Sequence, residues 1–124
     1  MTHKQLGYDL MAAAFEVYNT LGSGFLEEVY QEAMEIELTS RNIPFLSKPK
    51  LELEYKGHLL KKRYEPDLLI DHEIVVELKA ANDVCNKFEA QLFNYLKTTQ
   101  KNVGYLINFG SHPDLKWKRI ILNQ

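Results

Sequence analysis

YEPDLLIDHEIVVELK, Tyr64 to Lys79, is the stretch whose reading decides the fold. It holds two short apolar runs, Leu68-Leu69-Ile70 and Ile74-Val75-Val76, around the turn-like pair Asp71-His72. Runs of this length, rich in branched residues and bounded by a turn signal, predict a β-hairpin. Strand side chains alternate between faces, so Val75, Glu77 and Lys79 share one face and Ile74, Val76 and Leu78 the other. On the partner strand Asp67 and Leu69 point the same way as each other. A register that aligns Asp67 with the Glu77/Lys79 end gathers two carboxylates and an ammonium where the strands enter the core. Three charges there are costly to desolvate unless they coordinate something. Asp67, Glu77 and Lys79 are therefore the candidate site.

Pro66-Asp67, nine intervening residues, then Glu77-Leu78-Lys79 resembles the motif of the PD-(D/E)xK nuclease superfamily. The resemblance implies that Asp67 and Glu77 hold a divalent cation, Mg²⁺ or Mn²⁺, a hard ion that keeps several waters and takes a phosphate oxygen as ligand. It also implies that Lys79 orients the attacking water and offsets charge on the phosphate, while the metal polarises the phosphoryl group. Taken alone, the same letters fit a solvated strand face, with Glu77 and Lys79 as a surface ion pair worth about 0–1 kcal/mol.

The composition bounds the function classes. A chain of 124 residues and 14.5 kDa, 45% hydrophobic and 26% charged, predicts one globular domain over 1–124. The net charge of −2 and a pI near 6.1 give no basic excess of the kind that marks tight nonspecific nucleic-acid binding. With a single cysteine, Cys85, neither an internal disulfide nor a thiolate zinc cluster forms within the chain. No stretch reads as a membrane span or a signal peptide, so a cytoplasmic protein is expected.

Upstream, Thr2 and Gln5 have capping-box form, and Leu6, Leu10, Ala13, Ala14, Val17 and Leu21 follow at helical spacing. Gly22-Ser23-Gly24 ends that helix. A second runs from near Phe25 to Arg41-Asn42, with Leu26, Val29, Ala33 and Ile36 as its buried stripe and Glu27, Tyr30 and Met34 on a neighbouring face. Lys50 to Tyr55 alternates as a half-wet strand, Lys56-Gly57-His58 turns, and Leu59 to Tyr64 returns. Lys61-Lys62-Arg63 fits edge-protecting charge, or phosphate contact by Lys61 and Arg63 just upstream of Asp67. His58 and His72 sit in turns and are read as no one's ligands. After Asn82 or Asp83 as cap, a helix is expected over Val84 to Thr99, with Phe88, Leu92 and Leu96 on one face and Gln91 and Tyr95 on an adjoining one. Val103 to Asn108 reads as a buried strand and Trp117 to Leu122 as a last edge segment.

Within LGSGFLEEVYQEAM, Gly24, Glu27 and Tyr30 are spaced G-x-x-E-x-x-Y, and together with VVELKA, QLFNYLKTT and VGYLINFG the chain resembles the GxxExxY proteins of that superfamily along nearly its whole length. This resemblance implies that Glu27 adds a third carboxylate to the metal, and that Tyr30 packs over the site or contacts a ligand. It further implies that Gln91, with Tyr95 four residues on, forms a glutamine-tyrosine motif in which the glutamine contacts the bound water or phosphate and Tyr95 lines the substrate side. Each has a plainer reading: Glu27 as a first-turn acid favoured by the helix dipole, Tyr30 as a half-buried helix tyrosine, Gln91 as an amide at the sheet edge. The family pattern often carries histidine where this chain has Tyr18 and Phe88. The fold implied is an α/β restriction-endonuclease-like core, one mixed sheet flanked by helices. The function implied is metal-dependent phosphodiester hydrolysis of DNA, RNA or a nucleotide. The alternative is a non-catalytic nucleotide- or protein-binding domain, a homodimer among its forms, that retains the fold.

Overall fold

The computed structural model describes residues 3–82 and 86–122. The decisive stretch forms the hairpin expected of it: β4 (Leu68–Ile70) and β5 (Ile74–Lys79) pair antiparallel, with Leu68 opposite Val76, Leu69 opposite Val75 and Ile70 opposite Ile74. Asp71 and His72 both take positive φ, 48° and 61°, and Glu73 N–H donates to Ile70 O at 2.9 Å to close the turn. Asp and His are among the residues that tolerate this conformation.

Around the hairpin the chain builds one five-stranded sheet in the order β1-β4-β5-β6-β7. Here β1 is Phe45–Ser47, β6 is Val103–Asn108 and β7 is Lys116–Ile121. Strand β5 pairs parallel with β6, and the other pairings in the sheet are antiparallel. Parallel neighbours need a long crossover, supplied by the segment containing α3 (Asn86–Thr99). All six residues of β6 are buried, as befits a strand covered on both faces. The short β1 was absent from the sequence reading, because three residues, FLS, give no periodicity to read.

The remaining strands, β2 (Leu51–Tyr55) and β3 (His58–Tyr64), form a separate two-stranded ribbon off the main sheet. The ribbon turns at Lys56-Gly57, both at positive φ. Glu65 and the buried Pro66 carry the chain from ribbon to sheet. Proline has no N–H to give a ladder, so the two sheets separate there.

Two apolar clusters sandwich the sheet. On one side α1 (Lys4–Leu21) and α2 (Glu27–Ser40) pack through Leu10, Ala14, Tyr30 and Met34 onto Ile74, Val76 and Leu78. On the other, Leu92 and Leu96 of α3 join Leu53 and Tyr64 of the ribbon over Leu69, Val75 and Leu106. The alternation expected for Ile74 to Lys79 holds. Glu77 and Lys79 lie on the α3 side.

The helix ends differ from expectation. Thr2, Asp83, Val84 and Cys85 lie outside the described residues. His3 is the N-cap of α1 without a side-chain cap bond, and the Gln5 amide donates to Asp9 Oδ1 at 2.9 Å. The buried stripe of α2 is one residue out of phase with the expected one. Tyr30, Met34 and Leu38 are buried, whereas Leu26 is 72% and Ile36 64% exposed. The helix carries apolar residues on two faces about 100° apart, and the contact with Phe109 selects between them: Tyr30 stacks on Phe109 at 4.6 Å and 9°.

This phase is directly testable. Met34→Ala is expected to cost about 2–5 kcal/mol, as loss of a fully buried side chain does. Ile36→Ala should stay within about 0.5 kcal/mol of the native protein. Urea unfolding of both variants checks the assignment, and equal losses would contradict it.

Candidate active site

Continuing the β4–β5 register by one residue sets Asp67 against Glu77. The Leu78 N–H donates to Asp67 Oδ2 at 2.7 Å, so a side-chain oxygen takes the hydrogen bond where the strand ladder runs out. The Asp67 main-chain carbonyl is held as well, by Lys48 N–H at 3.0 Å and the Gln31 amide at 2.8 Å. Asp67 is thus fixed from the residue after β1, from α2 and from β5 together.

Glu77 is fixed from the other side. Tyr64 O–H donates to Glu77 Oε2 at 2.5 Å, and the Tyr64 ring stacks on Tyr95 at 3.8 Å and 5°. The register sets the carboxyl groups of Asp67 and Glu77 side by side, and each influences the other. Burial, with the adjacent Asp67 adding to it, pushes the Glu77 carboxyl up to about 7 in spite of the opposing pull of Tyr64 and Lys79. Burial and the neighbouring Glu77 hold the Tyr64 phenol well above its usual range, so it is a donor at every working pH. Lys79, two residues beyond Glu77 on the same face, holds its Nζ 4.5 Å from the centre of the Phe88 ring. A cation over an aromatic face is attracted to it, which gives the aromatic at position 88 a place in the site.

The structure therefore brings Asp67, Glu77 and Lys79 together. Gln91 lies on α3 between Phe88, against Lys79, and Tyr95, against Tyr64. It is exposed and makes no hydrogen bond with any described residue. Its amide is thus uncommitted among the described residues.

Other expected members are placed differently. Tyr30 is fully buried; its hydroxyl donates to Gly22 O at 2.6 Å and accepts from Phe25 N–H at 3.3 Å. It pins the glycine turn and presents nothing to a ligand. Tyr95 faces Tyr64 across the stack, so it reaches the site through a neighbour. Arg63 pairs with Glu52 on the ribbon, one position from Tyr64 and so on the opposite ribbon face. Lys61 lies in the irregular stretch between the Arg63 and Leu59 pairings, and both cations are exposed. Glu27 is exposed on α2, which packs on the opposite face of the sheet from Glu77. Among the described residues no group of three or more His, Cys, Asp or Glu side chains is placed to share an ion.

Three participants escaped the sequence reading. Tyr64 stands three residues before Asp67 and looked like the plain end of a strand. Gln31 follows Tyr30 directly, with no motif of its own. Asn108 is buried at the end of β6; its side chain takes Ala81 N–H, donates to Ala81 O and Ser111 Oγ, and accepts from Gly110 N–H. It clamps the chain just beyond Lys79. A buried polar residue at a strand end was the one available signal.

The donor set fits a hard divalent cation. Two adjacent carboxylates, each tied to the protein through one oxygen, suit an ion that takes one or two carboxylates and completes its shell with water and phosphate oxygens.

The raised Glu77 carboxyl makes stability depend on pH. Its folded value of about 7 exceeds the ordinary 4.5, so the folded state binds the extra proton between those limits. The associated stabilisation is full below pH 4.5 and is lost as pH rises through 7. In metal-free buffer this one group is expected to lower stability by roughly 1–3 kcal/mol between pH 4.5 and 8. Asp67→Asn, which removes the neighbouring carboxylate and leaves the burial, should reduce the change without abolishing it. Thermal melts in chelator across that range measure both.

Comparison with known proteins agrees with this geometry. No curated protein matches the chain in sequence. Among solved structures, the protein described as SSO0001 superposes with a TM-score of 0.61 at 18% identity, over 78% of this chain and 51% of the other. This chain thus spans about half the length of that protein, and the likeness is one of fold: a mixed sheet flanked by helices, restriction-endonuclease-like. The sequence model for the PD-(D/E)XK nuclease superfamily matches residues 4–120. With its Asp67, Glu77 and Lys79 converging at the end of one hairpin, this chain belongs to the PD-(D/E)XK nuclease superfamily.

Proposed function

We propose that the protein is a divalent-cation-dependent phosphodiesterase acting on DNA, RNA or a nucleotide, with its centre at Asp67, Glu77 and Lys79. The observation that carries the reading is the pairing of two half-buried carboxylates, one with its carboxyl raised to about 7, beside a lysine on the same strand face. Two like charges placed together with partial burial are unfavourable, and a bound cation relieves that cost. Asp67 and Glu77 would hold Mg²⁺ or Mn²⁺. Glu27, on the same face of α2 as Gln31 and one turn before it, is the third carboxylate of the proposal, since Gln31 on that face already reaches the Asp67 carbonyl. The GxxExxY spacing supports including it.

When bound, the ion would polarise the phosphoryl group and supply an activated water. The protein's own contribution is positional. Lys79 Nζ, steadied over Phe88, places positive charge where negative charge grows on the phosphate during hydrolysis. Gln91 offers an uncommitted amide from α3 to a phosphate oxygen or water. Lys61 and Arg63, on the exposed ribbon, remain candidates for backbone phosphates lying farther from the scissile bond.

Labelled DNA, RNA and nucleotide substrates with Mg²⁺ or Mn²⁺ test the reading. Cleavage is expected with metal and none in chelator. Asp67→Asn should abolish it, and Lys79→Ala should slow it by on the order of 10²-fold or more while the fold survives. A Lys79→Ala variant at the native rate would leave the lysine no role beyond its contact with the Phe88 ring. Calorimetry with Mn²⁺ should show weaker binding in Glu27→Gln than in the native protein, and unchanged heats would remove Glu27 from the ligand set.

A further inference from the structure

We propose that Tyr64 is a positioning residue for Glu77, and that Tyr95 serves as its buttress. The proposal rests on the metal-dependent reading above and concerns how its ligand pair is kept in order.

Glu77 has a long, rotatable side chain on a half-buried strand face, next to a carboxylate that repels it once both are ionised. Left alone it would swing away from Asp67. The Tyr64 hydroxyl stops this by donating to Oε2 at 2.5 Å. Tyr64 itself has little freedom: it is 5% exposed, paired in register with Leu51, and packed in the cluster formed by Leu53, Leu92 and Leu96. Its ring lies flat on Tyr95, 3.8 Å away and 5° from parallel. Three elements meet in this contact, since Tyr64 comes from the ribbon, Glu77 from the main sheet and Tyr95 from α3.

The two carboxylates are anchored in the same manner. Asp67 gives one oxygen, Oδ2, to the Leu78 amide, and Glu77 gives one oxygen, Oε2, to Tyr64. In each case the second oxygen is left to serve an ion. Partners that orient metal ligands in this way contribute about 10–100-fold to metal affinity. Tyr95 then acts through its ring, and its hydroxyl is dispensable.

Mn²⁺ calorimetry on Tyr64→Phe, Tyr95→Phe and Tyr95→Ala tests this, because phenylalanine keeps ring shape and stack while deleting the hydroxyl. Tyr64→Phe is expected to bind about 10–100-fold more weakly, Tyr95→Phe as the native protein does, and Tyr95→Ala in between. In the metal-free protein, the Glu77 side-chain carboxyl ¹³C resonance should move in Tyr64→Phe and stay in place in Tyr95→Phe. Equal Mn²⁺ affinity in native and Tyr64→Phe proteins overturns the proposal, as does an unmoved Glu77 resonance. If Tyr95→Phe loses as much affinity as Tyr64→Phe, the buttress is wrong and the Tyr95 hydroxyl is itself a ligand contact. If the native protein binds no Mn²⁺, the metal reading falls, and the resonance alone decides whether Tyr64 positions Glu77.

Discussion

The hydrogen bond from the Leu78 amide to Asp67 Oδ2 is the constraint on which the rest of the site depends. It fixes the side chain of Asp67 by the same register that pairs β4 with β5, so the apolar contacts of the hairpin and the placement of the charge are one event. A slip of one residue in that register would turn Glu77 and Lys79 to the face packed by α1 and α2. There they would meet the apolar cluster around Met34 and Leu10. Strong preference for the native pairing follows from the core, and the site inherits its accuracy.

Around this point the fold distributes its supports unevenly. Among the described residues the N-terminal helices hold the site through Gln31, which donates to the Asp67 main-chain carbonyl, and they cover the far face of the sheet. Most residues of the candidate site lie between Tyr64 and Tyr95. Beyond Lys79 the Asn108 side chain ties the Ala81 backbone to the end of β6. Gly110 makes this approach feasible, since a Cβ there would stand 2.4 Å from Ala81 O.

What could be read from the sequence was whatever depends on period and spacing. The hairpin, the faces of Glu77 and Lys79, the buried β6 and the gathering of Asp67 with that pair all follow from alternation over a few residues. The phase of α2 did not, because Leu26, Val29 and Ile36 make as good a stripe as Tyr30, Met34 and Leu38 until the position of Phe109 is known. The ribbon was legible as two strands, while its separation from the main sheet turns on where Pro66 interrupts the ladder. Tyr64 and Gln31 were invisible for a related reason. Their partners lie 13 and 36 residues away, and nothing local marks a residue whose role is to hold another.

The bond at Leu78 also has an implication for the history of such a domain. The sheet requires an acceptor at position 67, and an asparagine carbonyl supplies one as well as a carboxylate does. Architecture and charge are therefore separable at the one place where both originate. A lineage can lose the negative charge and keep every strand in register. Likeness of shape among these proteins therefore reports the scaffold, while the charge carried at this single position is a separate property.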